Sequence, residues 1–151
     1  MMRKQISIIL ADDQAEVRGA LRRYLDHDGR FTIVAEAKDG AETLRRVTLL
    51  KPEALILDLA MPQPDGLQVL PAIRKVSPST SVFVLSSMVP FGGVGDQALA
   101  LGATAVFDKY VSPKVIIEAI IAARLKLGDT DLPGGRLQSD DLKDLDLPTA
   151  S

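Results

Sequence analysis

Short blocks of consecutive apolar residues alternate along most of this chain with longer stretches in which apolar residues recur every three or four positions. Residues 5–10 form the first block, continuous enough for a strand buried on both faces. Over 14–26 the period changes: Val17, Leu21, Tyr24 and Leu25 share a helical stripe, with Arg18, Arg22 and Arg23 off it, until Asp28-Gly29 ends the helix. A second strand is expected over 31–35. A second helix is expected over 41–50, with Leu44, Val47 and Thr48 inward and Lys51-Pro52 closing it.

The alternation continues. Residues 54–57 are a third strand running into Asp58. After a Pro- and Gly-rich loop comes a helix with Leu67, Leu70 and Ile73 on one side, Pro71 near its start and Ser77-Pro78 at its end. Residues 82–85 are a fourth strand ending in Ser86-Ser87, 96–101 a short helix, and 105–107 a fifth strand. Ser112 and Pro113 suit the N-cap and first position of a last helix, whose inner stripe is Val115, Ile116, Ala119, Ile120, Ala123 and Leu127. Five strands alternating with five helices predict an α/β fold with a doubly wound parallel sheet covered on both faces.

From Gly128 the apolar stripe stops. Residues 128–151 read as a disordered acidic tail carrying six Asp against Arg136 and Lys143, with a short helix expected near 139–145. The tail holds a net charge of −4, so residues 1–127 carry +2 of the chain's total of −2. Neither part has the basic footprint of direct nucleic-acid binding. There is no cysteine, which excludes disulfides and thiolate ligands. Nor is any apolar run of membrane-spanning length, so the chain is read as cytoplasmic and not membrane-bound. Aromatics are 4% of residues, so the core must be aliphatic.

In open α/β sheets the functional crevice lies beyond the C-terminal ends of the strands. There this chain places Asp12-Asp13 after the first strand, Asp58 after the third, Ser86 after the fourth and Lys109 after the fifth. Three clustered carboxylates repel one another unless a cation intervenes, and an all-oxygen set suits Mg²⁺. Beside such an ion Asp58 can act as a carboxylate nucleophile toward phosphorus. Lys109 can pair with the new charge, and Ser86 can donate to a phosphoryl oxygen. Singly these residues have plainer readings: Asp12-Asp13 as helix-capping acids, Lys109 as a surface lysine, Ser86 as a polar strand end. His27 reads as a cation at a helix C-terminus, and the Gly92-Gly93-Val94-Gly95 stretch as a loop.

Over residues 4–127 the chain resembles the receiver domain of two-component response regulators. The resemblance rests on Asp12-Asp13, on Asp58-Leu59-Ala60-Met61-Pro62 followed by Asp65-Gly66, and on Ser86-Ser87, Gly102-Ala103 and Asp108-Lys109. It implies a flavodoxin-like sheet of order 2-1-3-4-5, and a phosphoryl group received on Asp58 from a histidine kinase or histidine phosphotransfer protein. It also implies Mg²⁺ held by Asp13, Asp58 and the Ala60 carbonyl, with Asp12 acting through water. Catalysis would then be limited to the domain's own phosphorylation and slow dephosphorylation. Output would pass to a protein target, with homodimerisation on phosphorylation left open. Arg18, Arg22 and Arg23 read equally as a solvated face or as part of the helix that docks the histidine-bearing partner. Three positions depart from the family pattern: Val106 where an aromatic is usual, Tyr110 where Pro often follows the lysine, and a Gly-rich segment at 88–95.

A single-domain regulator is the expected organisation, the alternative being the receiver part of a larger DNA-binding regulator. A phosphatase of the haloacid dehalogenase type needs a second Asp two positions after the nucleophile, where this chain has Ala60. A nucleotide-binding flavodoxin-like protein needs a phosphate loop where Asp12-Asp13 stand.

Overall fold

The structure is a computed structural model that describes residues 5–87 and 93–128. Met88, most of the Gly-rich segment, the acidic tail from residue 129 and its expected short helix lie outside the described residues.

Strands and helices alternate as β1 (Ile6–Ala11), α1 (Ala15–Asp28), β2 (Phe31–Ala37), α2 (Gly40–Leu50), β3 (Ala54–Asp58), α3 (Gly66–Val76), β4 (Ser81–Ser86), α4 (Val94–Ala100), β5 (Ala105–Asp108) and α5 (Pro113–Lys126). All strand pairs are parallel, in the order β2-β1-β3-β4-β5. This is the flavodoxin-like arrangement that the resemblance implies.

The period-two pleat of the central strands feeds two separate cores. Ile6, Ile8, Leu10, Ile56, Phe83 and Phe107 point to one side, where α1 and α5 cover them with Leu21, Leu25, Ile116 and Ile120. Ile9, Leu55, Leu57, Val84 and Val106 point to the other, under Val47 of α2, Ile73 of α3 and Ala98 of α4. Every residue of β3 and β4 is buried, which is why those segments read as unbroken apolar runs.

Local chemistry shifts several expected boundaries. β2 runs two residues further than expected, to Ala37, and one of the added residues is accounted for by a register slip between Ile8 and Ile9 of β1 that leaves Val34 as an extra residue. Asp39 caps α2 by accepting from the Glu42 N–H, and Asp65 forms a reciprocal capping box with Gln68. α4 begins at Val94, inside the stretch read as loop.

Other expectations are corrected outright. Tyr24 is 53% exposed rather than inward. In α2 the buried threonine is Thr43, whereas Thr48 is exposed and bonds the Leu44 carbonyl. Pro71 sits in the interior of α3, not its first turn, and leaves the Leu67 carbonyl without its helical donor. Ser112 makes no side-chain cap, so Pro113 at the first turn is the local signal that starts α5. Leu127 lies beyond α5 and is exposed, while Ile117, Ile121 and Ala122 widen the buried arc of that helix.

Candidate functional site

β1 and β3 are neighbours at the centre of the sheet, and α1 and α3, which follow them, pack on opposite faces. A crevice therefore opens beyond their C-terminal ends. Asp12 follows the last residue of β1, and Asp58 is the last residue of β3. Both are buried, while Asp13 is exposed. One carboxylate oxygen from each of the three lies within 4.8 Å of the others. The sequence reading thus named a cluster that the fold assembles.

Asp58 is held at both oxygens. Its Oδ1 accepts from the Ala60 N–H at 3.1 Å, and its Oδ2 accepts from Lys109 Nζ at 3.1 Å. Gly66 lets the following helix close over this strand end, since a Cβ there would lie 2.5 Å from the Asp58 carbonyl oxygen. Lys109 comes from just beyond β5, with its backbone N–H donating to the Ser86 carbonyl at 3.2 Å. Besides Asp58, its ammonium lies 3.4 Å from Asp12 Oδ2. Ser86 closes β4, is buried and pairs in register with Asp108. All the sequence-named residues therefore gather at one sheet edge.

The electrostatics follow from burial. Asp12 has its pKa raised, first by burial and further by the charge of Asp58; the Gln14 N–H and Lys109 only partly oppose this. For Lys109 burial alone would lower the pKa, but hydrogen bonds and charge from Asp58 and Asp12 outweigh it and hold the ammonium protonated. One cation thus faces three acids. Asp12 Oδ2 is buried, and its contact among the described residues is the 3.4 Å ion pair with Lys109.

These observations fit a hard divalent cation. The donor set is all oxygen, and three carboxylates within 4.8 Å of one another carry negative charge in excess of the one ammonium that pairs with them. Asp12, Asp13 and Asp58 are the residues that could hold such an ion.

One contact was not foreseen. Arg18 Nη1 donates to the backbone carbonyl of Asp12 at 2.6 Å, and its Nε donates to Glu36 Oε1 at 2.9 Å. Arg22 completes the group with bonds of 3.2 and 2.6 Å to Glu36 Oε2. These two arginines are thus not a simply solvated face. An arginine one turn into the helix after an acidic pair was the available signal, but nothing in the sequence names its acceptor. Beside the acids, a cleft of about 540 Å³ runs between α1 and the start of α5, lined by Val17, Ala20, Tyr110, Val111 and Pro113. Tyr110 is 86% exposed at its rim.

Residues 8–121 match the response regulator receiver domain family. The chain is 36% identical over 97 residues to a protein-glutamate methylesterase/protein-glutamine glutaminase of Maricaulis maris, covering 64% of this chain and 24% of that one. It is 39% identical over 119 residues to the transcriptional regulatory protein PrrA of Mycobacterium bovis, covering 79% and 48%. The chain therefore spans about a quarter and about half of the length of these two relatives. The crystal structure of the response regulator domain of Thermotoga maritima CheB superposes with a TM-score of 0.73 at 28% identity, covering 80% of this chain and 96% of that one.

Proposed function

This chain belongs to the response regulator receiver domain family of two-component signal transduction, and on that premise we propose that it accepts a phosphoryl group on Asp58. The observation that carries this reading is the position of Lys109. Its ammonium bridges Asp58 and Asp12 inside a three-carboxylate cluster.

The donor is a phosphohistidine on a histidine kinase or histidine phosphotransfer protein, the partners with which receiver domains interact. An Asp58 carboxylate oxygen attacks phosphorus in line with the leaving imidazole nitrogen. The new O–P bond forms as the P–N bond breaks, and the nitrogen keeps the electron pair. Asp58 approaches the donor already oriented, because the Ala60 N–H fixes one oxygen. Lys109 transfers its ion pair from the free carboxylate to the phosphoryl oxygens, and the Ser86 hydroxyl donates to one of them. Asp13, Asp58 and the Ala60 carbonyl would hold Mg²⁺, which would supply positive charge against the phosphoryl oxygens. Ala60 offers no general acid, so turnover of outside phosphate esters is not part of the function, and the chemistry is confined to the domain itself. Phosphorylation would switch the binding of a protein partner.

Among the described residues no helix is long and apolar enough to cross a membrane.

A small phosphodonor such as acetyl phosphate, or beryllofluoride, should modify the wild-type chain in Mg²⁺, and Asp58→Asn should abolish the adduct. Intact-mass spectra showing equal phosphate uptake by the variant would refute the assignment.

A further inference from the structure

Besides its ion pair with Lys109, Asp12 is held by three hydrogen bonds. Its N–H donates to the Ala37 carbonyl at 3.0 Å, and its Oδ1 accepts from the Gln14 N–H at 2.8 Å. Its carbonyl accepts from Arg18 at 2.6 Å. That third contact differs from the others in being charged and in having its own anchor. The Arg18 side chain is 18% exposed and ion-paired to Glu36, near the end of the edge strand β2. Arg22 holds the second oxygen of Glu36, and Glu36 is kept below the usual carboxylate range, first by its hydrogen bond from Arg22 and then by that from Arg18.

We infer that Arg18 is a positioning residue for the divalent-cation site: it sets the plane of the Asp12–Asp13 peptide and so aims the Asp13 carboxylate. This inference rests on the phosphoacceptor reading above. The carbonyl that Arg18 grips belongs to the peptide joining the two acids. Rotation of that plane would turn the Asp13 Cα, and Asp13 is the exposed member of the cluster. The planar guanidinium suits the task because one face of its fork takes the carbonyl while another takes Glu36. Glu36 braces Arg18 through one oxygen and Arg22 through the other, so the guanidinium is held in place on the side away from the acids. Groups that orient first-coordination ligands in this way govern metal affinity without touching the metal.

The test is a Mg²⁺ titration of the full chain without phosphodonor, followed by calorimetry and by the amide resonances of Asp13 and Ala60. Arg18→Ala should weaken Mg²⁺ binding about tenfold. Arg18→Lys, whose single ammonium cannot serve both acceptors, and Glu36→Gln should each weaken it by a smaller factor; both keep the test alive should the alanine variant fold poorly. Phosphorylation by acetyl phosphate at saturating Mg²⁺ should return to the wild-type rate in all three. Arg30→Ala removes a comparable ion-paired arginine, bonded to Asp28 and Glu118 far from the acids, and should leave Mg²⁺ affinity unchanged. Wild-type affinity in the Arg18 and Glu36 variants, or an equal loss in Arg30→Ala, overturns the positioning role while leaving the phosphoacceptor reading intact. A wild-type chain that binds no Mg²⁺ overturns both.

Discussion

Asp12 shows how one residue can weaken the fold in order to serve the site. It is 2% exposed, next to Asp58, and its pKa is raised, chiefly by burial. The folded state therefore holds the Asp12 proton more tightly than the unfolded chain does. Below the ordinary carboxylate pKa both states are protonated and there is no penalty. As pH rises from that value through the raised folded value the penalty develops, and it is complete above the folded value. Asp12→Asn removes it while keeping an oxygen for the Gln14 N–H. We expect the variant to be more stable than wild type at pH 7 in EDTA. The advantage should shrink in Mg²⁺ and vanish in acid. Urea unfolding at pH 7 and in acid, each with and without Mg²⁺, checks all parts of this expectation.

At the scale of elements, the loop that follows Asp58 is clamped by the neighbouring helix. α2 and α3 pack side by side on one face of the sheet. Gly40, the first residue of α2, lies so close to this loop that a Cβ would stand 1.9 Å from the Pro64 carbonyl oxygen and 2.9 Å from Val69 Cγ1. Gly40→Ala must push α2 or residues 61–65 aside. We expect a loss of about 2 kcal/mol, together with slower phosphorylation, because the displaced loop carries Ala60 and its N–H on Asp58. Thermal unfolding and acetyl phosphate kinetics measure the two effects, and a stability loss without a rate effect would show that the loop moves independently of the site. Val106 and Phe107 are both fully buried on opposite faces of the sheet, Val106 toward α4 and Phe107 toward α1 and α5. Phe107 therefore does not replace the aromatic that the family usually places at position 106.

Across the whole molecule, the two ends of the sheet divide the work. The acids, Lys109 and the cleft lie at the C-terminal edge. At the opposite edge Arg124 of α5 reaches under the strands, donating to the carbonyls of Glu53 at 2.9 Å and Ser79 at 2.8 Å. It also pairs with the Glu53 carboxylate at 3.8 Å, and that carboxylate accepts from the Ser7 N–H at 3.2 Å. One side chain thus ties α5 to the starts of β1, β3 and β4. Arg124→Ala should cost about 2 kcal/mol, since it removes charged hydrogen bonds to two part-buried carbonyls and the ion pair with Glu53. Under conditions where the variant is fully folded, its rate of phosphorylation should match wild type. Denaturant unfolding and phosphorylation kinetics on the same sample separate the two ends.

Much of this was legible along the chain. The apolar runs of the inner strands follow from burial on both faces, and the helical stripes from a 3.6-residue period; both are local patterns. The strand ends then placed Asp12, Asp13, Asp58, Ser86 and Lys109 at one edge, because a parallel sheet sends all its C-termini the same way. The exposed Tyr24, the exchange of Thr48 for Thr43 and the interior Pro71 were not legible. Helical period gives a stripe but not its centre, which depends on the neighbour against which it packs. The contacts that tune the site also belong to the tertiary structure alone. Lys109 reaching Asp12 as well as Asp58, Arg18 gripping a backbone carbonyl while braced by Glu36, and Gly40 pressed on Pro64 each join separate elements. Local sequence decides which residues are strand, helix or buried, whereas contacts between distant residues are decided by strand register and helix packing.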